Sequence, residues 1–170
     1  QTIETPSIEA SAELMREVDV VVATGGAAMV KSAYSSGKPA YGVGPGNVQC
    51  IIDDDVDITE CVPKIIAGRK FDNGIICSGE QTVIAPAGKY DAIMAEFQKN
   101  NCAFITDPAQ KQALREALFP GGVMNKDLVG QGVAKIAAAA GLTVADGTQV
   151  ILVEADGHGH ADLLCKEKMC

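Results

Sequence analysis

At 170 residues the chain is long enough for one ordinary domain with a real core. Apolar residues at 47% and charged residues at 21% exclude a disordered chain, and aromatics at only 4%, with no Trp, favour a buried parallel α/β sheet over an antiparallel sandwich. A formal net charge of −8 makes nucleic acid and anionic membrane poor partners, and no apolar run approaches the roughly 20 residues that span a bilayer.

The opening Gln-Thr-Ile-Glu-Thr-Pro is not a basic-then-apolar secretory signal, and without a Met the sequence reads as cut or renumbered. Pro6 to Glu17 has the spacing of an amphipathic helix, with Ile8, Ala12, Met15 and Val18 on one face and Thr5 or Ser7 as cap. Val18 to Ala23 is a β-branched run of the kind buried on both faces of a sheet. Thr24-Gly25-Gly26 breaks it, and Ala27 to Ser35 resumes a helical pattern. Pro39 to Val43 predicts a short strand ending in the glycine-rich Gly44-Pro45-Gly46-Asn47, and Val48 to Asp53 a third strand.

Asp57 and Glu60 have capping-box spacing for a helix running toward Lys70, with Pro63 predicting a late start or a kink. Phe71 to Glu80 reads as a loop or turn carrying Cys77. Strands follow at Thr82 to Pro86, Ala103 to Thr106 and Val150 to Glu154. Helices are predicted over Tyr90 to Lys99 (Ile93, Met94 and Phe97 inward), over Pro108 to Leu118 with Asp107 as cap, and over Lys126 to Ala140, ended by Gly141. This alternation predicts parallel βαβ units.

Four places bear on chemistry. The run from Val20 into Thr24-Gly25-Gly26 leads a strand to a helix start, where free N–H groups and the helix dipole favour a phosphate; a tight turn is the commoner reading of so short a motif. Cys77 lies in a polar, glycine-flanked turn between a helix and a strand, where a thiolate is accessible and its own N–H can face a developing oxyanion. For an arbitrary cysteine burial is the commoner state, and Cys50, Cys61, Cys102, Cys165 and Cys170 are read that way, as free thiols of a reducing cytoplasm. His158-Gly159-His160 fits no zinc spacing, and Asp53-Asp54-Asp55 lacks the glycine and terminal Glu of a calcium loop, so no metal is predicted.

Taken together, the blocks Ala23 to Ala40, Gly42 to Asn47 with Ile52-Asp53, and Phe71 to Gln81 resemble the acylating aldehyde dehydrogenases in content, order and spacing. These include the aldehyde dehydrogenase half of bifunctional aldehyde–alcohol dehydrogenases. The resemblance runs from about Ser7 to the end and is closest before Tyr90. It implies a parallel βαβ sheet of a catalytic domain (residues 47–170) following the last strands of a Rossmann-like NAD-binding domain (residues 1–46). It implies that Cys77 is the nucleophile, that Thr24, Gly25 and Gly26 lie near the diphosphate of NAD(H), that Gly42, Val43 and Gly44 end a strand beside the nicotinamide, and that Glu167 holds a ribose. It further implies a short-chain aldehyde and coenzyme A as co-substrates and a cytoplasmic homo-oligomer for the full-length protein.

Hydrolytic aldehyde dehydrogenases carry a Glu in the block written here as Tyr41-Gly42-Val43-Gly44, and that Glu activates water against the thioester. From Lys38 to Ile52 this chain has no carboxylate, which favours transfer to a CoA thiol. The alternatives are a hydrolytic aldehyde dehydrogenase or acyl-phosphate reductase on the same fold, and a non-catalytic nucleotide-binding or assembly subunit. Family members are several times longer than one domain. The segment alone is therefore expected to be inactive and to expose apolar surface where further strands belong.

Overall fold

The structure is a computed structural model that describes residues 2–170, apart from the side chain of His160. The chain divides into two compact units, one ending at Pro45 and one running from Gly46 to Cys170.

The first unit contains α1 (Ile8–Glu17), β1 (Val21–Thr24), α2 (Ala27–Tyr34) and β2 (Ala40–Val43). Ser7 caps α1: its hydroxyl accepts from the Ala10 N–H at 3.0 Å, satisfying one of the orphan donors of the first turn. β1 and β2 pair in parallel, with Val21 opposite Ala40 and Thr24 opposite Val43. Side chains alternate across a strand, so Val21 and Ala23 share one face and pack with Ala33, Met15, Val18 and Ala40. The other face is open: Val22 is 77% exposed and Tyr41 69%. The expected two-sided burial of Val18 to Ala23 is therefore wrong in this unit, where the strand starts only at Val21 and helices cover a single face. Ile8, expected on the inner face of α1, is also exposed, because the packed stripe is centred on Met15 and Val18.

The second unit begins with β3 (Val48–Ile51), α3 (Ile58–Lys70), β4 (Glu80–Ile84) and α4 (Tyr90–Lys99). It continues with β5 (Cys102–Ile105), α5 (Pro108–Leu118), α6 (Val133–Ala139) and β6 (Val150–Val153). β3 pairs with β4 and β5 with β6, again in parallel, as βαβ connections require. One core cluster joins Val62, Ile65 and Ile66 of α3 to Ile93, Met94 and Phe97 of α4. A second joins Leu114 and Leu118 of α5 to Ile136 of α6. β6 lies between them, with Val150 and Leu152 packed on the first cluster and Ile151 and Val153 on the second.

Two local expectations are corrected. α3 starts on time at Ile58, with Pro63 inside it. A mid-helix proline costs about 3 kcal/mol, and burying three branched apolar side chains at about 1.5–3 kcal/mol each more than offsets it. The capping box is only half formed: the Asp57 carboxylate accepts from the Thr59 N–H at 2.8 Å, while Glu60 turns to Lys64 at 3.7 Å. The helix expected over Lys126 to Ala140 is split into a short 3-10 turn, Lys126–Leu128, and α6. Gly130, at φ 67°, lies in the left-handed region between them and interrupts helical geometry.

Phe97 is 1% exposed and joins α3, α4 and β5 in one cluster. Phe97→Ala is expected to lower unfolding free energy by about 3–5 kcal/mol in urea denaturation, against about 0.5 kcal/mol or less for Ile8→Ala at the surface.

Candidate active site

α3 ends at Lys70, and the chain must reverse before β4 begins at Glu80. It does so through three consecutive left-handed residues, Asp72 (φ 49°), Asn73 (φ 52°) and Gly74 (φ 72°). Asp and Asn are the side-chain-bearing residues that tolerate this region best, and Gly74 is buried where a Cβ would lie 2.9 Å from Arg69 Nη2. Such strain concentrates at functional sites. The reversal carries Ile75 to Ser78 to the surface. Cys77 is the one exposed cysteine of the six, all of them free thiols. Its N–H donates to no backbone carbonyl among the described residues.

The other thiols are less available. Burial pushes Cys102 up to about 11 and raises Cys170 as well. Cys50 is raised by burial and then by the nearby Glu80. A thiol held protonated is a poor nucleophile. Only Cys102 is buried, so the expectation that the other cysteines are core residues fails for Cys50, Cys61, Cys165 and Cys170, which are partly buried.

In the first unit, Thr24, Gly25, Gly26 and Val43 gather at the carboxyl end of the two strands, where the Gly25 N–H donates to the Val43 carbonyl at 3.0 Å. Gly26 is the N-cap of α2 and supplies no side-chain cap, so first-turn N–H groups are left for another acceptor. Nothing lies within 4 Å of where a Cβ would stand at Gly26 or Gly44, so a ligand can approach the backbone there. Gly42 differs. Paired with Ala23, it faces α2, and a Cβ would meet Val30 Cγ1 at 2.8 Å and Tyr34 Cε2 at 2.9 Å. Its N–H donates to the Tyr34 hydroxyl at 3.1 Å.

Glu167, partly buried, follows a short 3-10 turn, Leu163–Cys165, in the second unit. A partly buried charge cluster that sequence reading missed secures the approach to it. Lys111 and Arg115 on α5 both pair with Asp156, and Arg115 reaches Asp162 at 3.2 Å. Burial alone would raise the Asp162 carboxyl, but the Leu164 and Asp156 N–H groups and Arg115 hold it below the usual carboxylate value. The pattern had no local signature, because its partners lie more than 40 positions apart. Asn47, Arg69, Glu80 and Gln81 were also missed; each has a buried polar atom without a partner among the described residues.

A cavity of about 360 Å³ lies between β4 and β6, and Cys77 does not line it. Consecutive residues of both strands form its wall, which places it against strand edges and not on one face. Among the described residues no group of three metal-ligating side chains converges, and the His160 side chain lies outside them. No helix there is long and apolar enough to cross a membrane.

A carboxyl held below its usual value of 3.8 contributes stability that is present above that pH and lost as pH falls toward the folded value. Asp162→Asn is therefore expected to lower stability at pH 7 and to flatten its loss as pH falls below the ordinary carboxylate value, read from urea midpoints along a pH series.

No family model matches the chain. It is 52% identical over 170 residues to the acetylating succinate-semialdehyde dehydrogenase of Clostridium kluyveri, covering 100% of this chain and 38% of that protein. An acetylating aldehyde dehydrogenase from Geobacillus thermoglucosidasius superposes with a TM-score of 0.91 at 35% identity, over 96% of this chain and 36% of that one. Propionaldehyde dehydrogenase of Rhodopseudomonas palustris, solved with CoA and an acylated cysteine, superposes with a TM-score of 0.81 at 33% identity, over 88% of this chain and 35% of that one. The chain thus spans well under half the length of the relatives it matches, and along essentially all of its own length it belongs to the acylating aldehyde dehydrogenase family.

Proposed function

We propose that the full-length protein carrying this segment interconverts a short-chain aldehyde and its acyl-CoA with NAD(H), through a thioester on Cys77. The observation that carries the reading is the single exposed cysteine thiol, three residues beyond a left-handed turn in a chain homologous to acylating enzymes throughout. Residues 47–170 are assigned to the catalytic domain and residues 1–46 to the end of the cofactor domain. The family resemblance also supports a cytoplasmic homo-oligomer.

The Cys77 thiolate adds to the aldehyde carbon, and the carbonyl π pair moves to oxygen. The Cys77 N–H, free of backbone partners, is available to that oxyanion. When bound, NAD supplies the hydride acceptor that oxidises the thiohemiacetal to the thioester. The thiolate of CoA then attacks the thioester carbon, the C–S bond to Cys77 breaks, and acyl-CoA leaves with Cys77 restored as thiolate.

The first unit suits a dinucleotide: the uncapped start of α2 and the open backbone at Gly26 and Gly44 accept a diphosphate. Thr24 and Gly25 flank that turn, and Val43 stands at the open strand end beside the nicotinamide. In the second unit Glu167 is assigned to a ribose hydroxyl. Gly42 acts by its lack of a side chain. Where hydrolytic relatives in the superfamily place their Glu block, this position has no room for one without moving Val30 and Tyr34. With no base there to activate water, the thioester waits for CoA.

The test is NADH formation by the full-length protein with acetaldehyde and NAD, with and without CoA, beside Cys77→Ala. Turnover is expected to require both CoA and Cys77, with a loss of about 10³-fold or more in the variant. CoA-independent turnover would move the protein to the hydrolytic branch of the superfamily.

A further inference from the structure

Glu167 and Cys77 are 90 positions apart, yet hydrogen bonds tie the backbone around one to the residues around the other. The Lys168 N–H, next to Glu167, donates to Gln81 Oε1 at 3.3 Å. Gln81 is on β4, four residues after Cys77. On the other side, the Gly130 N–H donates to the Met169 carbonyl at 2.9 Å, and the Gly130 carbonyl accepts from Asn73 Nδ2 at 3.0 Å. Asn73 stands four residues before Cys77, inside the left-handed turn. Asn47 adds a third tie, its side-chain amide donating to the Cys165 carbonyl and to Thr82 Oγ1 at 3.4 Å.

The ties are not explained by general stability alone. Gln81 and Asn47 each spend one end of the amide on the segment that carries Glu167 and leave the other end buried without a partner among the described residues. Burying an amide group without a partner is unfavourable, so an apolar residue would serve a merely structural contact better. Residues 163–169 also lack regular secondary structure beyond a 3-10 turn, so their place depends on such side-chain contacts.

We propose that Gln81 and Asn47 are positioning residues that hold the Glu167 backbone on the same frame as the Cys77 turn, so that the cofactor ribose and the nucleophile are set by one network. This rests on the assignment of Glu167 to the cofactor made above. Neither residue touches a reacting atom. Their effect passes through the backbone of Cys165 to Lys168, while Gly130 and Asn73 fix the same segment from the opposite side of Cys77.

The experiment uses the full-length protein and two readouts: NADH affinity from fluorescence titration, and the rate at which iodoacetamide alkylates Cys77. Gln81→Leu keeps the bulk and removes the acceptor, whereas Gln81→Glu keeps the acceptor. Gln81→Leu is expected to weaken NADH binding by about tenfold, the worth of one hydrogen bond, with Gln81→Glu restoring affinity to within about threefold of the parent. Alkylation of Cys77 should change by less than about twofold in both, the spread of a site left in place. Asn47→Leu, if Gln81→Leu fails to fold, carries the same expectation. Glu167→Ala is the reference. If it weakens NADH binding and Gln81→Leu does not, the positioning role is overturned while the cofactor assignment stands. If Glu167→Ala leaves NADH affinity unchanged, the cofactor assignment fails and the positioning role with it. Parallel loss of NADH affinity and Cys77 alkylation in Gln81→Leu and Gln81→Glu alike would reduce Gln81 to a structural residue and also overturn the proposal.

Discussion

Everything in the second unit that bears on chemistry depends on the reversal at Asp72, Asn73 and Gly74. α3 must bury Val62, Ile65 and Ile66, and β4 must pair with β3, so the chain between them has few residues in which to turn. A right-handed continuation would have carried Cys77 along the helix. Three left-handed residues instead end the helix and bring the cysteine to the surface. A side chain at Gly74 would be strained at φ 72° and would press on the Cys170 backbone at 2.8 Å and on Arg69 Nη2 at 2.9 Å.

The same reversal links distant parts of the chain. Asn73 reaches the Gly130 carbonyl because its backbone is left-handed, and Gly130 in turn holds Met169. With the Lys111, Arg115, Asp156 and Asp162 cluster, this converts an irregular C-terminal segment into a fixed one. Charges so nearly buried add stability only when fully paired, and here Asp162 meets Arg115 and two backbone N–H groups.

Local signals were legible wherever one periodicity and one cap settled the outcome. α4 spans the predicted Tyr90 to Lys99 with Ile93, Met94 and Phe97 buried, and α5 spans Pro108 to Leu118 behind the predicted Asp107 cap. The turn bearing Cys77 was legible as a turn, and Asp-Asn-Gly is the composition that left-handed backbone favours. Expectations failed where neighbours decide. Whether Val22 is buried depends on what covers the second face of β1, and whether Pro63 breaks α3 depends on how much apolar surface the helix buries. Asn47 and Gln81 were invisible for a related reason: their partners lie 118 and 87 positions away, and no spacing rule reaches so far.

Gly42 shows how packing alone can fix a residue type: a Cβ there would meet Val30 Cγ1 at 2.8 Å and Tyr34 Cε2 at 2.9 Å, so only glycine lets β2 lie this close to α2 without a shift. The central claim remains the covalent one. The full-length protein, mixed with acetyl-CoA in the absence of NADH, should gain one acetyl group by intact-protein mass spectrometry. Proteolysis should place it on the peptide containing Cys77, and excess free CoA should remove it. An acetyl group on another cysteine, or no adduct while the same sample turns over acetaldehyde, would contradict the account.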